Sequence, residues 1–227
     1  MKRKAFFRKG ILGVSTILGL HLLSTACEEG ANIPSNPNCP NTPSEIKGPF
    51  PNKTPADLVR ENIIRDRTGV ALLINFTIQN TQDDCNPLPG ATVDLWQCDA
   101  KGNYSQYDEQ LDGDFANVSF LRGRQTTDIN GRVSFISIYP GWYPGRAPHL
   151  HLEIKSASGR SLLVSQVAFP EDVSNAVYQS SSYGGTFDTA NEDDQSFNDS
   201  LEQNLPDSLT GNINDGYIYE KVIKVSS

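Results

Sequence analysis

The chain alternates short apolar runs with clusters of turn-forming residues, and this pattern strongly limits the folds open to it. Six runs are five to nine residues long, a length typical of strands, and they cover residues 70–78, 91–96, 133–138, 150–154, 162–169 and 217–225. The turn clusters between them, such as Asp128-Ile129-Asn130-Gly131, are rich in Gly, Pro, Asn and Asp. The pattern predicts an all-β fold, a β-sandwich of mainly antiparallel strands. Helix signals are limited to residues 170–178 and 194–205, so we expect few, short helices.

The N-terminus has the pattern of an export signal. Residues 1–26 contain five basic residues and no acidic one, and the apolar run over 11–23 is too short to span a bilayer. The stretch Leu23-Ser24-Thr25-Ala26-Cys27 resembles a bacterial lipoprotein cleavage site, although its leucine lies one place early. We therefore expect a lipoprotein signal peptide over 1–26 and a lipid on Cys27. That lipid would anchor the exported protein to a bacterial membrane, facing the periplasm or the cell exterior; the alternative is an ordinary signal peptide.

Residues 27–46 are rich in Asn, Pro, Ser and Glu, which predicts a flexible tether before a single domain over 47–227. Cys85 and Cys98 flank a Pro-Gly turn and a strand-like run, and in an oxidising compartment we expect them to form a disulfide. Cys39 is then left over, either free or in competition for one of these partners.

The charge balance limits the possible partners. Without the five basic residues of the signal, 14 basic residues face 27 acidic ones, a net charge of −13. A nucleic-acid partner is therefore not expected. The acidic stretch over 188–199 does not have the spacing of an EF-hand calcium loop, and we interpret it as a solvated loop.

The chain has three histidines, and the two outside the signal form the motif His149-Leu150-His151. In a strand, residues i and i+2 point to the same face, so the two imidazoles could share one metal ion or simply decorate the strand. A zinc hydrolase is disfavoured, because the sequence offers neither a third conventional ligand nor an H-E-x-x-H motif. The Pro- and Gly-rich segment 138–148 forms a stiff, exposed loop that brings Tyr143 and Arg146 towards the histidines. Phenolate oxygens combined with imidazoles favour iron(III) over zinc.

Several segments together match a known pattern. They are Asp94 to Tyr104, ending in Gly102-x-Tyr104; Tyr143 to His151, with Arg146 three places before His149; Gln166, fifteen residues after His151; and, more weakly, Gly48-Pro49-Phe50. This pattern resembles the intradiol ring-cleavage dioxygenases, the family of catechol 1,2-dioxygenase and protocatechuate 3,4-dioxygenase. The resemblance runs from about residue 47 to the C-terminus and is closest to the short secreted members.

The resemblance implies a site and an activity. Iron(III) would be bound by Tyr104, Tyr143, His149 and His151, with Tyr143 and His151 axial. Arg146 and Gln166, with Tyr143, would be the catalytic residues. The implied reaction is intradiol cleavage of a catechol-type aromatic by dioxygen, giving a cis,cis-muconate-type diacid. The choice of catechol and the oligomeric state stay open.

A binding module is the alternative interpretation. In it, a surface-anchored β-sandwich would bind a glycan or a protein through exposed Trp96, Trp142 and Tyr107, and the iron site would be vestigial. Tyr104 would then be a surface aromatic residue, Arg146 a surface salt-bridge partner and Gln166 a core amide.

Overall fold

A computed structural model describes residues 39–227. The predicted signal peptide, the lipidation site Cys27 and the tether up to residue 38 lie outside the described residues. Within 39–227, no helix combines the length and the apolar character needed to cross a membrane.

In the described part of the chain, nine strands form two sheets, which confirms the all-β fold. The strands are β1 Ala71–Asn80, β2 Asn86–Pro87, β3 Thr92–Trp96, β4 Arg122–Thr126, β5 Arg132–Ile138, β6 His149–Lys155, β7 Ser161–Ala168, β8 Ser208–Asn212 and β9 Gly216–Val225. One sheet has the order β2-β1-β9-β8, with β5 also paired to β1, and the other has the order β4-β3-β6-β7. Among the pairings of these nine strands, that of β1 with β9 is parallel and the others are antiparallel.

The six predicted runs correspond to β1, β3, β5, β6, β7 and β9, with ends that agree within two residues. The strands that the apolar pattern missed are β2, β4 and β8. Strand β4 consists of Arg, Gly, Gln and Thr, so its sequence carries no apolar alternation. It forms because its backbone pairs with β3, a long-range contact that local sequence does not report.

The core lies between the two sheets, and this decides where the histidines point. Leu150, Leu152 and Ile154 of β6 belong to the main apolar cluster. Because side chains alternate across a strand, His149 and His151 lie on the opposite, outer face of β6. Both imidazoles are nevertheless 1% exposed. The outer face of this sheet must therefore be covered by connecting segments, and these segments carry the remaining site residues.

The helices are short, as expected. Helix α1, Glu171–Tyr178, matches the first predicted segment, and helix α2, Leu201–Asn204, is a single turn. The prediction of a helix over 194–205 is therefore wrong for its first half. Asp194 accepts a hydrogen bond from the backbone N–H of Ser196 at 2.9 Å, a local turn that competes with helix formation. The 3₁₀ helices are Pro55–Leu58 and Asn191–Asp193.

The predicted disulfide between Cys85 and Cys98 is wrong: Cys85 pairs with Cys39, and Cys98 is a buried free thiol. The reason is geometric. Cys85 directly precedes β2 in one sheet, whereas Cys98 follows β3 in the other sheet, and the five residues of β3 separate its own two ends by about 16 Å. A disulfide requires α-carbons within about 7 Å of each other.

The predicted tether is also shorter than expected, because residues 39–46 pack on the domain. The backbone N–H of Thr42 donates to Lys224 O on β9 at 2.9 Å, and that of Glu45 donates to Val164 O on β7 at 3.0 Å. Cys39 is 2% exposed. Composition alone missed this docking, because it depends on free backbone groups of strands far away in sequence.

Candidate active site

His149 and His151 are held side by side by the pairing of β6 with both of its neighbours. His151 is opposite Trp96 on β3 and opposite Gln166 on β7. The Trp96 indole stacks on the His151 ring, with centroids 5.1 Å apart and planes 2° from parallel. The Nε2 atoms of the two histidines are 2.9 Å apart. Trp96 itself is 1% exposed. Its predicted role as an exposed stacking residue of a binding module is therefore wrong.

Tyr104 comes from the long connection between β3 and β4, and it is completely buried. Its hydroxyl lies 3.3 Å from His149 Nε2. The alternative of a surface aromatic residue is therefore wrong. Gly102 explains why the motif needs glycine: its φ is +89°, and a β-carbon there would lie 2.3 Å from the Trp142 carbonyl oxygen. The Gly102 backbone thus packs directly against the loop that carries Tyr143.

That loop joins β5 to β6 and brings Tyr143 to the same place. The Tyr143 ring centroid is 5.7 Å from that of Tyr104 and 5.8 Å from that of His149. Arg146 donates from Nη1 to the Tyr143 hydroxyl at 3.2 Å. The loop is only partly exposed, since Ala147 is buried whereas Pro144 and Gly145 face solvent. The four predicted iron ligands and Arg146 are therefore brought together.

Gln166 completes the predicted set. Arg146 Nη2 donates to Gln166 Oε1 at 2.5 Å, and Gln166 Nε2 donates to Ile46 O at 2.7 Å. The Gln166 amide therefore links Arg146 to the N-terminal segment of the described structure, residues 39–50. From this segment, Phe50 stacks on Tyr104 with centroids 4.8 Å apart. The α-carbon of Gly48 faces His151, and a β-carbon there would lie 2.8 Å from His151 Cε1.

The sequence interpretation missed one residue of this cluster, Asp194. Its carboxylate is fully buried and accepts a charged hydrogen bond from Arg146 Nε at 2.8 Å. The expectation of a solvated acidic loop over 188–199 is therefore wrong for Asp194, although the neighbouring Asp193 is exposed. No local pattern distinguishes these two aspartates, and Asp194 lies 48 residues from Arg146 in sequence.

Burial and local charge set the protonation of the four predicted ligands. Burial, with a contribution from Arg146, lowers the pKa of both His149 and His151, so both imidazoles are neutral at pH 7. His149 Nδ1 lies 2.6 Å from Ala147 O and must donate to it, which leaves the Nε2 lone pair directed at the cluster. Burial raises the pKa of Tyr104 and Tyr143, although Arg146 acts in the opposite direction. Ionisation of these phenols therefore requires a strong local cation.

This donor set suits a hard, highly charged metal ion. Neutral imidazole nitrogens and phenol oxygens converge, and a bound trivalent cation stabilises phenolate. Within residues 39–227, no group of three His, Cys, Asp or Glu side chains is arranged to hold a metal. A site on this face therefore needs its tyrosines.

Comparison with known proteins identifies the family. The family model described as Dioxygenase matches residues 46–182, more than half of the chain. A hydroxyquinol 1,2-dioxygenase from a Rhizobium strain is 31% identical over 179 residues, covering 70% of this chain. The chain belongs to the intradiol ring-cleavage dioxygenase family.

Other intradiol dioxygenases show how far the likeness extends. The protocatechuate 3,4-dioxygenase beta chain of Burkholderia cepacia is 36% identical over 123 residues, which is 49% of this chain and 51% of that protein. The Rhizobium enzyme is matched over 56% of its length. The chain thus spans about half the length of the curated relatives it matches.

Solved structures cover more of the chain. The intradiol ring-cleavage dioxygenase of Tetranychus urticae superposes with a TM-score of 0.72 at 27% identity, over 83% of this chain and 95% of that one. The 3-chlorocatechol 1,2-dioxygenase of Rhodococcus opacus 1CP shares the fold, with a TM-score of 0.55 at 20% identity over 82% of this chain and 74% of that one.

Proposed function

We propose that this protein is a non-haem iron(III) dioxygenase that cleaves a catechol-type aromatic between its two hydroxyl-bearing carbons, giving a cis,cis-muconate-type diacid. The observation that carries the proposal is the convergence of Tyr104, Tyr143, His149 and His151 on the outer face of β6. Family membership supports the reaction class. When bound there, iron(III) would supply Lewis-acid activation of a dihydroxylated ring towards dioxygen.

Tyr143 is the ligand best placed to handle a proton. It is partly exposed, whereas Tyr104 is fully buried, so an incoming substrate meets Tyr143 first. Once ionised beside a bound trivalent cation, its phenolate oxygen would accept a proton from a substrate hydroxyl, acting as a general base. Arg146 donates a hydrogen bond to the same oxygen and holds it in place.

Arg146 and Gln166 act on the substrate side of the cluster. Arg146 is a permanent cation, and in this mostly buried setting it can stabilise negative charge that develops on the ring. Gln166 fixes one nitrogen of that cation, and its own amide is fixed in turn by Ile46 O. The guanidinium is therefore oriented before substrate arrives.

Iron loading and substrate addition test the proposal. Protein loaded with iron(III) should bind about one ion per chain and be visibly coloured, because phenolate-to-iron charge transfer absorbs visible light. Catechol added without oxygen should change the colour at once, and admitting dioxygen should restore the resting spectrum as a diacid forms. A colourless protein after loading in air would refute the site. An iron-loaded protein that shows neither spectral change nor oxygen uptake with a catechol panel would refute the activity.

We also propose that the protein is exported and held at a bacterial membrane by a lipid on Cys27. The basic and apolar N-terminal pattern supports this proposal, and so does the Cys39–Cys85 disulfide, which is typical of an oxidising compartment. The full-length protein should partition into detergent, and the substitution Cys27→Ala should move it to the aqueous phase. Equal partitioning of the two proteins would rule out the anchor.

A further inference from the structure

The acidic loop over 188–199 reaches back to the active-site loop through buried polar contacts. Asp194 accepts from Arg146 Nε, with Oδ1 at 3.1 Å and Oδ2 at 2.8 Å, and Oδ2 also accepts the Ala147 backbone N–H at 2.8 Å. At the start of the acidic loop, Asp188 accepts a hydrogen bond from the Gly145 backbone N–H, in the loop between β5 and β6, at 3.3 Å. Asp194 thus binds both the side chain of residue 146 and the backbone next to it.

The hydrogen bonds of Arg146 show what this contact achieves. Its Nε donates to Asp194, its Nη1 to the Tyr143 hydroxyl and its Nη2 to Gln166 Oε1. A guanidinium is a rigid planar fork with five N–H donors. Fixing the Nε edge therefore fixes the direction of both terminal nitrogens, and with them the remaining donors that can face a substrate.

Asp194 is also linked to the histidine motif through a single residue, Ala147. Its carboxylate binds the N–H of Ala147, and the carbonyl oxygen of Ala147 accepts the proton of His149 Nδ1 at 2.6 Å. That second bond keeps the His149 Nε2 lone pair directed at Tyr104. One buried carboxylate thus supports two parts of the site.

The burial of this ion pair calls for an explanation beyond fold stability. The side chains are 13% exposed for Arg146 and 0% for Asp194. Buried ion pairs often contribute little or nothing to stability compared with apolar residues of similar size. A pair that anchors the arginine of an active site is instead expected where orientation matters, because a preorganised charge needs little rearrangement during the reaction.

We infer that Asp194 is a positioning residue of this enzyme, which orients Arg146 towards the reacting ring. The inference rests on the proposed function. The support that Asp194 gives His149 bears on iron retention, so its effect on turnover per bound iron runs through Arg146. The acidic loop, which follows the family-matched region 46–182, is then part of the active site.

A double-mutant cycle distinguishes this role from a merely structural one. With catechol and dioxygen, and with rates normalised to bound iron, Asp194→Asn should lower kcat by roughly tenfold with little change in KM, the scale typical of lost outer-sphere support. Arg146→Ala should lower kcat by roughly a hundredfold. In the Arg146→Ala background, Asp194→Asn should change kcat by less than about twofold, because the group it orients is gone. The neighbouring exposed residue provides the matched control, and Asp193→Asn should behave like the wild type.

A second measurement needs neither iron nor turnover. In metal-free protein, the Arg146 Nε–H signal in nitrogen-15 NMR should exchange slowly with water, because Asp194 holds it in a buried bond. Asp194→Asn should speed this exchange and shift the signal, whereas Asp193→Asn should not. The exchange rate in the wild type tests the contact by itself, so the measurement remains decisive even if Asp194→Asn folds poorly.

The outcomes separate the two hypotheses. Equal fractional losses from Asp194→Asn in the wild-type and Arg146→Ala backgrounds would overturn the positioning role, as would fast Nε–H exchange in the wild type. If the iron-loaded wild type does not act on any catechol, the proposed function fails. The NMR measurement then still decides whether Asp194 fixes Arg146.

Discussion

At the scale of single residues, Arg122 is a buried cation whose hydrogen bonds all go to neutral oxygens. Its guanidinium is 0% exposed and donates to Ser105 O, Phe50 O and Asn52 Oδ1. Burial lowers the pKa of Arg122 to about 10, which still leaves it charged at pH 7. Because Ser105 follows Tyr104 and Phe50 stacks on Tyr104, this cation holds two walls of the site together.

Arg122→Met should destabilise the domain because it leaves buried carbonyl oxygens without donors, each at a cost of roughly 1–3 kcal/mol. Urea unfolding should show a loss of at least about 2 kcal/mol, and retained iron should fall as Tyr104 loses its support. Arg132→Met is the matched control, since Arg132 is exposed and should stay within about 0.5 kcal/mol of the wild type. Equal unfolding free energies for the two variants would contradict this account.

At the scale of elements, the residues that sequence could identify are those whose signal is local. Strands β1, β3, β5, β6, β7 and β9 carry their own apolar pattern, and His149 and His151 share a face because of the strand period. Strand β4, the Cys39 partner of Cys85 and the ion pair of Asp194 depend on contacts between segments far apart in sequence. Local spacing carries no information on these contacts.

The connection between β3 and β4 offers a test at the same scale. Gly102→Ala should lower the free energy of unfolding, because the new residue would combine a φ of +89° with a β-carbon 2.3 Å from Trp142 O. Either Tyr104 or the loop that carries Tyr143 must then move. Gly159→Ala is a matched control in the turn between β6 and β7. It has a φ of +86° and nothing within 4 Å of the added carbon, so it carries the backbone strain alone, about 1–2 kcal/mol. We expect Gly102→Ala to lower the free energy of unfolding in urea by more than Gly159→Ala does, and also to weaken iron retention. Similar values for both variants would refute the packing argument.

At the scale of the whole molecule, the N-terminal segment ties the two sheets to the site. From the disulfide at Cys39 it crosses β9 and β7, where Thr42 and Glu45 make backbone hydrogen bonds. Lys47 then forms a salt bridge with Glu153 at 2.8 Å, before Gly48 and Phe50 reach His151 and Tyr104. The hydrogen bonds of Thr42 and Glu45 and the salt bridge of Lys47 hold the segment between Cys39 and Phe50. The disulfide should therefore contribute more to stability than to the geometry of the site.

The Cys39→Ser/Cys85→Ser double variant tests this division. The disulfide closes a loop with a sequence separation of 46, and constraint of the unfolded chain should contribute about 4 kcal/mol by the loop-entropy relation. Urea unfolding of the variant should show a loss of about 2–4 kcal/mol, and the wild type in reductant should approach the same value. Below the unfolding transition, the visible absorption of the iron-loaded variant should match that of the wild type, since the bonds at Thr42, Glu45 and Lys47 still hold the segment. A changed absorption band with unchanged stability would reverse this assignment and make the disulfide a support of the site.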